Sequence, residues 1–138
     1  MATNTAGSTG RQFHQQLVHY ISRYIALADA SNGVAYTLGV IPPRAIVLRG
    51  GVAVIEAFNY GTNNLLDIGT SGDDDGFATN LALTTIGIIA ADEMATSNDF
   101  YSTSEQTITF TPELTGTAGT TGKIVVWMEF LVPNDRGY

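Results

Sequence analysis

The residues able to do chemistry in this 138-residue chain are few and badly spaced for it. The two histidines, His14 and His19, lie five positions apart. That spacing puts them on opposite faces of a strand and misses the i, i+4 pairing of a helical metal site. From Gly50 to Gly122 the chain has ten acidic residues and no Lys, Arg or His. General acid-base catalysis near neutral pH needs a group poised there, and phosphate binding needs a cation or a Gly-rich loop that opens a helix. A Ser/His/Asp triad is not expected, because both candidate bases precede residue 20 and there is no G-x-S-x-G elbow. The glycine-rich run Gly116-Thr117-Ala118-Gly119-Thr120-Thr121-Gly122-Lys123 is no phosphate loop either. Thr117 stands where the first glycine belongs, Ile124 replaces the required Ser or Thr, and a strand pattern follows.

Three weaker chemistries remain. Asp73, Asp74 and Asp75 offer the oxygen ligands that calcium prefers, but without EF-hand spacing; three adjacent carboxylates are ordinarily a solvated turn. A glycosidase needs two carboxylates across one cleft, and nothing marks any pair of these acids as partners. Trp127, Tyr60 and Tyr101 could form a sugar platform, although aromatics in strands are usually core. The sequence therefore leads to no catalytic residue, no cofactor and no metal ligand.

Bulk composition narrows the partners. With 44% hydrophobic and only 14% charged residues, the chain buries much surface and is not disordered. It has no cysteine, so stability must come from packing or association. A net charge of -7 repels nucleic-acid phosphates and anionic lipid. Neither nucleic acid nor membrane is an expected partner. The most apolar stretch, Leu81 to Ala91, falls well short of the roughly 20 residues of a membrane helix. The first ten residues lack the positive start and apolar core of a secretory signal, so synthesis is expected in the cytosol.

The elements that must carry these residues read as strands. Residues 1–12 have the small, polar composition of an N-terminal arm, and residues 13–138 are expected to form one domain. Phe13 to Ala28 fits both helical and strand spacing; β-branched and aromatic content favours a strand from about Tyr20. The turn cluster Asp29 to Gly33 and the alternating run Val34 to Leu38 predict a hairpin with it. Ala45 to Phe58 reads as a long strand with Ile46, Leu48, Val52, Val54 and Phe58 on one parity. Gly50-Gly51 within it predicts a bulge or bend that turns a corner between two sheets. A short strand at Leu65 to Ile68, an acidic loop at Asp73 to Gly76 and an undecided apolar run at Asn80 to Ala91 follow. Gln106 to Thr111 alternates cleanly. Lys123 to Val132 is apolar on both parities, which predicts a strand buried on both faces. Several short strands separated by turns indicate an all-β antiparallel sandwich of jelly-roll type.

One stretch is more specific than composition. Leu38-Gly39-Val40-Ile41-Pro42, Ala45-Ile46-Val47, Val54 through Thr70 with its Asn59-Tyr60-Gly61-Thr62-Asn63-Asn64 centre, and the acidic Asp73 to Phe77 segment resemble the capsid decoration, or cement, proteins of tailed bacteriophages. The resemblance covers about half the chain and departs from the pattern at Pro43-Arg44. It implies a β-sandwich on the outer surface of the phage head, commonly a homotrimer near three-fold positions, that bridges neighbouring major capsid subunits. A tail, head-fibre or host-binding component is the alternative. With a self-associating role in view, the N-terminal arm and the last strand are the expected contact surfaces, with Arg11, Phe13, Trp127 and Phe130 as the candidate contact residues.

Overall fold

The computed structural model describes residues 18–133. Eight strands run through them: β1 His19–Ala26, β2 Tyr36–Ile41, β3 Ile46–Glu56, β4 Asn63–Thr70, β5 Asp73–Ala82, β6 Gly87–Ala90, β7 Gln106–Thr115 and β8 Lys123–Leu131. The helical alternative for the first element is excluded, since β1 is paired along its whole length with β8. The expected arm, residues 1–12, lies outside the described residues. No helix among the described residues is long and apolar enough to cross a membrane.

The pairings reveal how the chain is wound. β1 pairs with β8, β2 with β7, β3 with β6 and β4 with β5, all antiparallel. This is one long ribbon whose tip is the two-residue Ser71-Gly72 turn between Thr70 and Asp73. Rolling the ribbon brings β3 beside β8 and β4 beside β7, which closes two four-stranded sheets, β1-β8-β3-β6 and β2-β7-β4-β5. The result is an all-β sandwich with jelly-roll strand order.

Alternation fills the space between the sheets. Ile124, Val126, Met128 and Phe130 of β8 face Ile108, Phe110 and Leu114 of β7 across a core that also takes Val52, Val54, Leu66, Ile68 and Phe77. Fully burying a side chain of this size contributes about 1.5–3 kcal/mol, which sets the core against the entropy of ordering the chain.

Four sequence expectations need correction. β1 and β2 do not form a hairpin: the 3-10 turn Leu27–Asp29 and the loop behind it carry the chain from one sheet to the other. That crossing is pinned at both ends, by Leu27 N donating to Gly122 O at 2.9 Å and Gly33 N to Pro112 O at 2.8 Å. In between, the Tyr36 hydroxyl donates to Asp29 O and accepts from Ser31 N. β3 turns no corner at Gly50-Gly51; it stays in one sheet, and its irregularities fall between Val47 and Arg49 and between Val54 and Glu56. The first of these bulges switches the parity, so Val47 is buried and Leu48 exposed. Asp73 to Asp75 are not a loop but the exposed start of β5. Finally, β8 is buried on one face only, its other parity being half-exposed.

Candidate interaction surfaces

With the core filled from both sheets, whatever this domain does is done on its two outer faces and its loops. The loops are locked rather than open. Asn64, buried at the start of β4, donates through Nδ2 to Tyr60 O at 2.9 Å and accepts from Tyr60 N at 2.8 Å. Asn59 accepts the amides of Thr120 and Thr121 at 2.7 and 3.1 Å and donates to Thr120 Oγ1 at 2.9 Å. Asn59 and Asn64 therefore hold backbone, and the glycine loop Gly116 to Gly122 is fastened to Asn59.

The outer face of β2-β7-β4-β5 is polar and acidic. Asp67 lies opposite Thr111 and Leu65 opposite Glu113, which accepts a hydrogen bond from Asn63 Nδ2. Asp67 is the perturbed acid here: desolvation raises its pKa above the usual 3.8, the Asn80 backbone N–H lowers it, and the charges of Asp75, Asp74 and Glu113 raise it again. Asn80 reaches that carboxylate, at 2.7 Å, by adopting a left-handed φ of 55°. The ligand oxygens of Asp73, Asp74 and Asp75 lie within 4.8 Å of one another and all three residues are exposed. An open depression of about 310 Å³ beside them is lined by Asp73, Asp75, Thr79, Glu93, Thr96 and Asn98. Its titratable groups, Asp73, Asp75 and Glu93, are all carboxylates.

The outer face of β1-β8-β3-β6 differs in kind. Its register builds complete rows across the sheet. Tyr24, Val125, Ala53 and Ile88 form one, and Ser22, Trp127, Gly51 and Ala90 the next. The flanking rows are charged and paired: Lys123 Nζ lies 3.7 Å from Glu56 on one side, and on the other Arg49 Nε donates to Glu129 at 2.7 Å. Glu129 also holds the Arg49 pKa above its usual value, first through that hydrogen bond and then through its charge. Tyr20 extends the second charged row onto β1. Large apolar side chains stand open at both edges, Tyr20 at 71% and Tyr24 at 55% exposure on β1, Ile86 and Ile88 at 69% and 76% on or beside β6.

The candidate contact residues are distributed unevenly over this picture. Trp127 sits half-exposed at the centre of the apolar face. Phe130 points inward, is 8% exposed and carries the His19 ring against it at 5.7 Å. Arg11 and Phe13, like His14, lie outside the described residues. Trp127 and Tyr60 do not make one sugar platform: Trp127 belongs to the outer face of β8, whereas Tyr60 packs against the core. Sequence reading missed Tyr20, Tyr24 and Ile88 as a surface, although the alternation of Tyr20, Ser22 and Tyr24 already placed them on one side of a strand.

No known protein family matches the chain, and no curated protein matches it in sequence. Its fold has counterparts among solved phage structures. A chain of the capsid asymmetric unit of cyanophage Pam1 aligns over 96% of this chain and 97% of its own length, with TM-score 0.70 and 13% identity. A chain of the acidic stable capsid of Helicobacter pylori bacteriophage KHP30 aligns over 87% and 91%, with TM-score 0.64 and 14% identity. A chain of the Ralstonia phage GP4 capsid aligns over 97% and 90%, with TM-score 0.65 and 17% identity. At these identities the likeness is one of fold, end to end.

Proposed function

We propose that this chain is a structural protein of a phage head, one that decorates the outer capsid surface, bridges neighbouring major capsid subunits and associates with copies of itself as a trimer. The observation that carries the reading is the end-to-end fold likeness to chains of three phage capsids, at TM-scores of 0.64–0.70. The resemblance of Leu38–Pro42, Ala45–Val47, Val54–Thr70 and Asp73–Phe77 to phage decoration proteins agrees with this reading. The protein then acts without a reactive centre. It binds the assembled shell better than free subunits, and by linkage each bound copy stabilises the shell against the pressure of packaged DNA. Symmetry multiplies modest contacts into a strong total. Arg11 and Phe13 in the N-terminal segment and Trp127 on the sheet face are the proposed contacts.

The test is a copy count on purified virions by quantitative mass spectrometry, with immunolabelling to locate the copies. Decoration requires copies in the hundreds spread over the head. A handful at one vertex would assign the chain to the tail or a head fibre, and absence from the particle would overturn the reading. Deleting residues 1–12 should lower occupancy without lowering the thermal stability of the domain.

A further inference from the structure

We infer that the outer face of β1-β8-β3-β6 is the surface through which copies of this chain join head to tail, the aromatic β1 edge of one copy meeting the aliphatic β6 edge of the next. The inference rests on the reading of the chain as a self-associating head protein and specifies the surface that such association uses.

Charge selects the partner. The chain carries a net -7, so two copies repel wherever their acidic faces meet. On this face Arg49 neutralises Glu129 and Lys123 neutralises Glu56, leaving no net charge over the rows between them. The opposite face instead gathers Asp67, Asp74, Asp75 and Glu113. An equally acidic copy can therefore approach closely here. The layout is that of a recognition patch, aromatic and aliphatic at its centre with a charged rim.

The order of residues selects the geometry. The two edges of the sheet are unlike each other, tyrosines on β1 and isoleucines at β6, so contact of one edge with the other is heterologous and generates a ring when the rotation closes. Along one rim the sequence across the sheet is Glu129 then Arg49, and along the other Lys123 then Glu56. Repeating either row in the next copy continues the alternation of sign, placing Arg49 towards the neighbour's Glu129 and Glu56 towards the neighbour's Lys123. β6 supplies a further reason: Thr84 to Ala91 holds no charge and no proline, and an edge strand of that composition with exposed isoleucines lacks the usual protection against pairing.

Sedimentation velocity on the purified full-length chain tests this, with Tyr24→Lys, Ile88→Glu and the double variant. Both positions are more than half exposed, so the monomer should keep its melting profile. The wild type should sediment as a closed oligomer, and each single variant should weaken association at least tenfold. The double variant should recover it, because the carboxylate introduced at position 88 of one copy meets the ammonium introduced at position 24 of the next. Asp74→Asn, on the opposite sheet, should leave the oligomer intact. A monomeric wild type, an Ile88→Glu chain that stays associated, or a double variant as dissociated as the singles would overturn the inference. The two readings fail separately. A wild-type monomer found in hundreds on heads removes this surface and keeps decoration. An oligomer that obeys the variants but is absent from virions does the reverse.

Discussion

Gly50 and Met128 compete for one volume, and a double-mutant cycle on the pair measures that competition. Gly50 lies opposite Met128 in the β3–β8 ladder and faces the core. A methyl group built on Gly50 would overlap Met128 Sδ and sit 2.8 Å from the Trp127 carbonyl oxygen. Overpacking of this kind costs about 1–3 kcal/mol. Losing the glycine also restricts the unfolded chain, which returns about 0.4–1 kcal/mol, so Gly50→Ala should destabilise by roughly 1.5 kcal/mol. Met128 is fully buried, and its truncation to alanine should cost about 3 kcal/mol, within the usual range for a core methionine. Independent effects would sum to about 4.5 kcal/mol. In the double variant the new methyl enters the space Met128 vacates, so the combined loss should be nearer 3 kcal/mol, a coupling of about 1.5 kcal/mol. The Trp127 carbonyl is backbone and cannot swing away, so some cost persists. Urea denaturation followed by far-UV circular dichroism reads all four corners, provided the m-value is unchanged. Additivity to within about 0.5 kcal/mol would show that the two positions do not share space, and the packing account of Gly50 would be wrong.

Three further outcomes follow from the same structure. Trp127→Ala should lower the stability of the isolated domain by only about 2 kcal/mol, below the roughly 3–5 kcal/mol of an enclosed tryptophan, because its ring lies on an open sheet face; a loss above about 4 kcal/mol in chemical denaturation would mean the ring is enclosed. Asp67→Asn should raise the melting temperature near neutral pH. The folded pKa of Asp67 lies above 3.8, so its contribution is fully present below 3.8 and is lost as pH rises through the folded value. The gain from Asn should therefore shrink as pH falls into that window, and a pH-independent gain would refute it. Asn59→Ala removes three hydrogen bonds to Thr120 and Thr121. On an exposed loop it should cost about 1–2 kcal/mol and speed amide exchange at those two residues, which hydrogen-exchange NMR would detect.

How far the sequence went, and where it stopped, follows from the range of the forces involved. The alternation in β7 is local, a property of successive side chains on a pleated strand, and it correctly marked Ile108 and Phe110 as inward-facing. Sheet membership is not local. β1 and β2 have the pattern of a hairpin, yet each finds its partner far downstream, His19 with Phe130 and Tyr36 with Phe110. Nor does the pattern announce the extra residue at Leu48 that moves Val47 from the predicted outer parity to the core. The acidic start of β5 was hidden because its side chains stay exposed at the tip of the ribbon, where no apolar periodicity is required. The second parity of β8 was read as buried because its residues are apolar; apolar composition records a tendency to be covered, without saying whether the cover lies in the same chain.

That last distinction resolves a tension in the composition. A chain with 44% hydrophobic residues and a net charge of -7 must separate the two kinds of surface. The jelly roll does so by giving each strand one face for the core and sorting what remains between two outer faces. Acids gather over β2-β7-β4-β5, where Asp67 already feels their mutual repulsion. Arg49 and Lys123 are placed on the other sheet, each beside one acid, so the apolar rows between them are flanked by neutral pairs. Exposed ion pairs of this kind add little to the stability of the domain. Their positions at the two borders of an apolar patch matter more, because they remove the charge that would keep a like-charged copy away. Reversing one pair by combining Arg49→Glu with Glu129→Arg leaves that row neutral but inverts the order of sign it presents to a neighbour, at one rim only. Domain stability should then stay within about 0.5 kcal/mol of the wild type while association weakens. Equal association in the reversed chain would reduce the rim pairs to bystanders and leave the aromatic and aliphatic edges to specify the contact alone.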